Sequence, residues 1–186
     1  MTAADHPAIV GTDSPSPRPR LELTWADEAY TATFAALLAS APETRRAFIT
    51  LHGDLGAGKT TLVRHMLRWL GVPGRIKSPT YAVVEPHEVN KPDGAWTAWH
   101  FDFYRFSDPR EWEDAGFRDI FASEGLKIAE WPEKAHGVLP QFDLDIAITT
   151  DADDARHVVL TAGTELGAAL LRYVDGPEKF RQNRQP

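Results

Sequence analysis

Residues 53–60, which read GDLGAGKT, constrain the fold of this chain more than any other segment. They match the pattern G-x-x-x-x-G-K-[ST] in full, and they lie between an apolar run, AFITLH, and a segment with helical periodicity. Glycines let a backbone wrap closely around a phosphate, and the amide groups at a helix start attract its negative charge. The alternative is a glycine-rich turn that only caps the helix. The full pattern in this context favours a phosphate-binding loop.

The segments around this loop predict an α/β fold. Strands are predicted at AFITLH, TYAVVEPHEV, AWTAWHFDFYRF, GLKIAEW, FDLDIAITT and RHVVLTAG, and helices from Trp25 to about Ser40, from Leu62 to Leu70, from Asp108 onwards and at ELGAALLRYV. Thr24 and Asp27 have the spacing of a capping box for the first helix, and NKPDG predicts a hairpin turn. We therefore predict a P-loop NTPase-like layered α/β sheet, with mixed parallel and antiparallel strands and flanking helices.

Length and composition predict one domain with two tails. The chain has 186 residues, which suits a single domain with its own core, and we assign that domain to residues 21–174. Residues 1–20 carry Pro15, Pro17 and Pro19 among polar residues and predict a disordered tail. Residues 175–186 predict a second, flexible tail.

Several classes of protein are disfavoured by composition. The chain lacks cysteine, has no apolar run of the ~18 residues that a transmembrane helix needs, and does not begin like a secretory signal. We therefore expect a cytoplasmic protein without a membrane partner. The formal net charge of −7 argues against a surface that holds a nucleic-acid backbone unaided.

The loop and two later acids form a candidate site for a nucleoside triphosphate with magnesium. In this motif Lys59 reaches the β- and γ-phosphates and the hydroxyl of Thr60 binds magnesium. Such a site also needs an acid at the end of a neighbouring strand, and Asp102 and Glu130 both follow apolar strand candidates. The alternative for each acid is an ordinary carboxylate that faces solvent.

Two further patterns near these acids do not redirect the assignment. Residues 90–93 spell N-K-x-D, which is known from guanine recognition, but they precede Asp102 in a short polar turn, so guanine specificity is not supported. His100 shares a strand face with Asp102, which raises the alternative of a transition-metal site. The other histidines lack a matching ligand spacing, so magnesium remains the favoured ion.

Four segments, GDLGAGKTT, KSPTYAVVEP, HFDFYRF and AEWPE, resemble in order and spacing the bacterial TsaE family, also called YjeE. The resemblance covers about residues 22–172. It implies a small P-loop ATPase that supports formation of N6-threonylcarbamoyladenosine (t6A) at position 37 of tRNAs, with ATP and Mg²⁺ as cofactors. It further implies two partner proteins, TsaB and TsaD, of which TsaD transfers the threonylcarbamoyl group. This chain would then be an accessory motor or switch. Its net charge of −7 further indicates that a partner makes most of the tRNA contacts.

The resemblance also implies roles for single residues. Thr80, in the segment SPT, matches a switch residue that senses the γ-phosphate, whereas a simple turn residue is the alternative. Glu28 and Trp131 match positions near the nucleotide, with a solvated helix acid and a buried packing residue as their alternatives. The expected ATP-binding set is Glu28, Leu55, Gly56, Ala57, Gly58, Lys59, Thr60, Thr61 and Trp131. The expected magnesium set is Thr60, Asp102 and Glu130, and the expected catalytic set is Lys59, Thr80, Asp102 and Glu130.

Two other functions use the same loop. A small-molecule kinase would need a pocket for its acceptor and usually an arginine-bearing lid, for which Arg105, Arg110 and Arg118 are candidates. A noncatalytic scaffold gated by nucleotide would need only binding. A screen for phosphoryl acceptors separates the kinase from the other two functions. A turnover assay with and without partners separates the motor from the noncatalytic scaffold.

Overall fold

The computed structural model describes residues 18–92, 94–106, 112 and 115–176. Its main elements, in chain order, are β1 (Arg20–Trp25), α1 (Glu28–Ser40), β2 (Phe48–His52), α2 (Lys59–Leu70), β3 (Val84–Lys91), β4 (Gly94–Asp102), α3 (Phe117–Ala122), β5 (Leu126–Glu130), β6 (Leu144–Thr150), β7 (Arg156–Ala162) and α4 (Glu165–Asp175). Short 3-10 helices cover Pro42–Arg46 and Pro132–Ala135. Most of the two predicted tails, and the helix start predicted at Asp108, lie outside the described residues.

The seven strands form one sheet in the order β1-β7-β6-β2-β5-β4-β3. Its centre is parallel, because β2 pairs with both β5 and β6, and β5 pairs with β4. Its two edges are antiparallel, through the pairs β1–β7, β6–β7 and β3–β4. The predicted α/β fold with mixed strand directions is thus confirmed.

The central strands are buried on both faces, as parallel strands covered by helices must be. Along β2, Ile49 and Leu51 join a large apolar core that also contains buried residues of α1, α2 and α4. Phe48 points to the opposite face, where it joins an aromatic cluster with Phe101 and Phe117. Alternation along each strand therefore builds one core on either side of the sheet, and the strand ends lie at its edge.

The chain between Arg20 and Asp27 differs from the sequence prediction. A helix beginning at Trp25 with Thr24 in its capping box is wrong, because residues 20–25 form β1, which pairs with β7. Alternate residues of β1, namely Leu21, Leu23 and Trp25, are buried, and this period of two is the mark of a half-buried strand. The cap of α1 is Asp27, whose carboxylate accepts a 3.0 Å hydrogen bond from the amide of Tyr30.

The predicted hairpin is present, but both of its strands are shorter than expected. β3 begins at Val84 because Val83 has a φ of 65°, which no regular strand contains. β4 ends at Asp102, where the chain turns away with Phe106 N–H bonded to the carbonyl of Phe103. These two breaks leave polar residues at the carboxyl edge of the sheet.

Among the helices that the structure describes, none has the length and apolar character needed to cross a membrane.

Candidate functional site

The loop between β2 and α2 depends on glycine at three positions with positive φ. Gly53, Gly56 and Gly58 have φ values of 137°, 84° and 111°, which residues with a side chain rarely adopt. A Cβ at Gly53 would also collide with the carbonyl oxygen of Ile148 in β6. The loop therefore lies directly against the sheet and delivers Lys59 as the first residue of α2.

Lys59 is held inside the loop rather than in solvent. It is only 4% exposed, and its Nζ donates to the carbonyl oxygens of Gly53 at 2.5 Å and Asp54 at 2.9 Å. The Nζ also lies 3.8 Å from the ring centroid of Trp131. Burial lowers the pKa of Lys59, while nearby carboxylates, first that of Glu130, act to raise it. The ammonium is thus fixed where a phosphate bound by the loop would meet it.

The two candidate acids lie side by side at the ends of parallel strands. Asp102 ends β4, Glu130 ends β5, and the two residues are register partners. Asp102 is 3% exposed and Glu130 is 2% exposed. The hydroxyl of Thr60, one residue after Lys59, donates to the Glu130 carboxylate and is 2.9 Å from each of its oxygens. The expected magnesium residues therefore meet in one place.

Asp102 also anchors the loop that contains the SPT segment. Its Oδ2 accepts hydrogen bonds from the hydroxyls of Ser78 and Thr80, the latter at 2.5 Å, and its Oδ1 accepts one from the amide of Tyr104 at 3.0 Å. The same loop ends at Val83, a β-branched residue in the left-handed region, which is an unfavourable conformation. The loop is therefore tied to Asp102 through one carboxylate oxygen and through the backbone amide of Asp102, which donates to the carbonyl of Val83 at 2.9 Å.

A cavity of about 320 Å³ joins these residues. Its lining consists of Leu55, Gly56, Gly58, Lys59, Thr60, Thr61, Ser78, Thr80, Asp102, Tyr104, Glu130 and Trp131. Two expected residues, Glu28 and Ala57, lie instead on an adjoining cavity of about 120 Å³. Gly56, Gly58 and Thr61 line both cavities. In the second cavity Glu28 lies beside Trp25 and Arg156, and its Oε1 is 3.0 Å from Nε2 of His65.

The donor set suits magnesium. Asp102, Glu130 and Thr60 offer carboxylate and hydroxyl oxygens, which are the ligands that this hard cation prefers. Two carboxylates at this depth also carry a charge that a bound cation would offset. Within the described ranges, no cluster of three or more His, Cys, Asp or Glu side chains could hold a metal by itself. A bound phosphate group would therefore have to complete the ligand set, as in other nucleotide sites.

Three residues at the site were not in the expected sets. Ser78 and Tyr104 line the larger cavity, and the ring of Tyr104 lies 5.0 Å from that of Trp131. His100, considered above only as a partner of Asp102 in a metal site, contacts Glu130 instead, with Nε2 2.8 Å from Oε1. Both Ser78 and Tyr104 flank predicted residues, so proximity in sequence was the available signal. The contact of His100 depends on strand register, which no local pattern gives.

A second polar group supports the base of the loop. His52, which directly precedes Gly53, has Nε2 2.8 Å from Asp145 in β6 and Nδ1 3.2 Å from Glu133. The hydrogen bond with Asp145 is the main cause that raises the pKa of His52. Through these contacts the end of β2 is joined to β6 and to the turn that follows Trp131.

The comparisons with known proteins agree on one family. A family model described as "Threonylcarbamoyl adenosine biosynthesis protein TsaE" matches residues 25–158. The chain is 41% identical over 138 residues to a protein from Haemophilus influenzae named tRNA threonylcarbamoyladenosine biosynthesis protein TsaE, covering 74% of this chain and 84% of the relative. A Bacillus subtilis protein of the same name is 37% identical over 114 residues, covering 61% and 68% of the two chains.

A solved structure agrees with these sequence matches. The crystal structure of YdiB from Bacillus subtilis superposes with a TM-score of 0.67 at 26% identity, covering 86% of this chain and 97% of that one. The sequence match spans the loop, both strand-end acids and most of the sheet. This chain belongs to the TsaE family.

Proposed function

We propose that this chain is a magnesium-dependent ATPase that supports t6A formation in tRNA, as an accessory motor or switch of the proteins TsaB and TsaD. One observation carries the biochemical part: the phosphate loop, Thr60 and two buried strand-end acids all face one cavity. The names of its relatives supply the pathway, because the Haemophilus influenzae and Bacillus subtilis proteins are both named for threonylcarbamoyladenosine biosynthesis.

In this proposal the nucleotide occupies both adjoining cavities. The loop amides and Lys59 surround the phosphates in the larger cavity, because these groups combine a helix N-terminus with a fixed positive charge. The smaller cavity holds the nucleoside, where Glu28 and Trp25 offer one polar and one apolar contact. Adenine is the assigned base, since Asn90 and Lys91 of the guanine-type pattern lie in the edge strand β3, paired with β4.

The residues of the larger cavity fit the electrostatic demands of γ-phosphate hydrolysis. Magnesium, when bound, offsets charge on the phosphate oxygens as that charge develops in the transition state. Lys59, which lines the same cavity, adds a second positive charge. Glu130 accepts a hydrogen bond from the hydroxyl of Thr60, which leaves a lone pair of that hydroxyl free for the cation. Asp102 and Glu130 are also placed to orient an attacking water, because each ends a strand at the cavity wall.

The switch is assigned to the loop that Asp102 anchors. Because Oδ2 of Asp102 accepts from both Ser78 and Thr80, any use of this oxygen at the nucleotide changes those two contacts. The unfavourable φ of Val83 means that the loop depends on such contacts to keep its conformation. A γ-phosphate and a partner protein that favour the same loop conformation would then be coupled energetically.

Replacing Thr80 by alanine tests this coupling. For the wild type we expect partner affinity to differ between the ATP and ADP states some 5- to 150-fold, corresponding to a coupling free energy of ~1–3 kcal/mol. Thr80→Ala should shrink that difference, because the loop loses one of its contacts with Asp102, while the phosphate loop still binds nucleotide. The measurement is the affinity for a purified TsaB–TsaD complex with a nonhydrolysable ATP analogue, with ADP and without nucleotide.

Thr33→Ala is the matched control for this experiment. Thr33 is exposed on α1, and its hydroxyl donates to the carbonyl of Ala29 in its own helix at 2.8 Å. Thr33→Ala should show the same difference in partner affinity between nucleotide states as the wild type. Equal partner affinities of the wild type in all three nucleotide states would contradict the switch.

The kinase alternative receives less support from the described residues. No arginine lines the larger cavity in the part of the chain that the structure describes. Arg105 instead stacks on Tyr81, with its guanidinium 4.3 Å from the ring centroid. Turnover of ATP to ADP and phosphate without an acceptor, accelerated by the partners, would favour the ATPase over both the kinase and the scaffold.

The charge of the chain bears on where tRNA binds. The formal net charge of −7 argues against a surface that neutralises nucleic-acid phosphates unaided. We therefore assign most tRNA contacts to the partner complex. The cytoplasm, where tRNA is modified, is the proposed location.

A further inference from the structure

We propose that His100 is a positioning residue of the magnesium–nucleotide site, which acts by fixing the Glu130 carboxylate that in turn orients Thr60. The inference rests on the proposed function, because it assumes that Glu130 and Thr60 serve a bound magnesium nucleotide. It adds a residue that lies outside the cavity and that touches neither the phosphates nor the reacting atoms.

The first observation is the geometry of the contact. His100 lies on β4, is fully buried, and has Nε2 2.8 Å from Oε1 of Glu130. Both oxygens of this carboxylate also accept from the hydroxyl of Thr60. A carboxylate can only accept, so Nε2 of His100 carries the proton and donates it to this bond. A continuous chain of donors and acceptors therefore runs from β4 through β5 to the first turn of α2.

The second observation is the cost of placing an imidazole here. Nδ1 of His100 is buried and has no hydrogen-bond partner among the described residues. A buried polar atom without a partner is unfavourable, whereas an apolar side chain at this position would carry no such penalty. The neighbouring residues Ala98 and Phe101 show that β4 accommodates apolar side chains at its buried positions. Packing alone therefore does not account for histidine, and the bond to Glu130 does.

Loss of the His100 donor would leave the Glu130 side chain free to turn. Without the donor on His100, Thr60 is the one described residue that still bonds the carboxylate, and Thr60 is itself an expected magnesium ligand. Both groups could then turn together away from the cavity. Residues that orient metal ligands from behind commonly change metal affinity or activity about 10- to 100-fold when they are removed. We therefore predict that removal of His100 weakens magnesium-dependent nucleotide binding.

The test compares His100→Leu with His87→Leu. His87 provides a matched control because it is a buried histidine on β3, on the same face of the sheet, with an Nε2 that also has no partner among the described residues. Calorimetry with a nonhydrolysable ATP analogue is repeated over a series of Mg²⁺ concentrations. We expect His100→Leu to raise the half-saturating Mg²⁺ concentration about tenfold or more, and His87→Leu to leave it unchanged.

Two further variants separate positioning from general damage to the fold. His100→Gln keeps an N–H donor near the position of Nε2 and should recover most of the wild-type Mg²⁺ dependence, including where His100→Leu fails to fold. In a Glu130→Gln background, His100→Leu should have little additional effect, because the proposed action passes through the carboxylate.

Several outcomes would overturn the inference. An unchanged half-saturating Mg²⁺ concentration in a folded His100→Leu variant would do so while the proposed function stands. The full effect of His100→Leu in the Glu130→Gln background would do the same, and so would a His100→Gln variant as impaired as His100→Leu. Absence of Mg²⁺-dependent nucleotide binding in the wild type would instead remove the proposed function, and this inference with it.

Discussion

Glu130→Gln and Asp102→Asn are each expected to lower magnesium-dependent ATP hydrolysis about 10²- to 10³-fold, with a much smaller effect on folding. Each change removes one negative charge from the cavity and keeps the shape of the side chain. The loss is large because both carboxylates are almost fully buried, so no solvent replaces their action on the cation or on an attacking water.

The folds of both variants should survive because an amide can keep part of the hydrogen bonding. In Glu130→Gln the amide oxygen can face His100 while the amide nitrogen faces Thr60. In Asp102→Asn the amide oxygen can still accept from Thr80. The measurement is steady-state ATP turnover with and without Mg²⁺, beside thermal unfolding of each variant.

Two exposed positions serve as controls for these changes. Glu88→Gln alters an exposed acid on the edge strand β3, and Asp153→Asn alters an exposed acid in the turn between β6 and β7. Both should retain hydrolysis within a few-fold of the wild type, since neither lines the larger cavity. Undiminished hydrolysis in Asp102→Asn and Glu130→Gln, at unchanged thermal stability, would refute the roles assigned to the two acids.

Replacing Lys59 should give the largest loss of nucleotide affinity. Lys59→Ala and Lys59→Met both remove the ammonium, and hydrogen bonds of a charged donor to phosphate are worth about 2–3 kcal/mol, or roughly 30- to 150-fold in Kd. The methionine variant keeps most of the volume beside Trp131 and so separates the loss of charge from the loss of packing. Calorimetric titration with ATP and Mg²⁺ measures the effect.

The control for Lys59 is Lys91→Ala. Lys91 is exposed at the end of the edge strand β3, at the hairpin turn. Its replacement removes the same charge without touching either cavity. Equal ATP affinity in a well-folded Lys59 variant would show that the phosphates bind elsewhere.

The loop and its lysine could be predicted from sequence because their geometry is local. Three glycines with positive φ and one lysine at the helix start define the loop within eight residues, so a short segment of sequence is enough to recognise it. The strand before it and the stop at Gly71 were predicted correctly for the same reason.

The remaining site depends on long-range pairing. Asp102 and Glu130 could be selected as strand-end acids, but their adjacency follows from the parallel pairing of β4 with β5. The contact between His100 and Glu130 depends on the register of that same pair, which a single sequence does not display. The errors near Trp25 and Val83 have local causes. A capping pattern competed with a strand in the first case, and an uncommon backbone conformation ended a strand in the second.

The most direct test of the proposed function is the t6A content of tRNA in cells whose own TsaE protein is depleted and replaced by this chain. The wild-type chain should restore t6A. Glu130→Gln, expressed to the same level, should fail to restore it, because the site can no longer turn over ATP. Full restoration of t6A by Glu130→Gln, with hydrolysis shown to be lost in the purified variant, would contradict the claim that ATP hydrolysis at this site supports the modification.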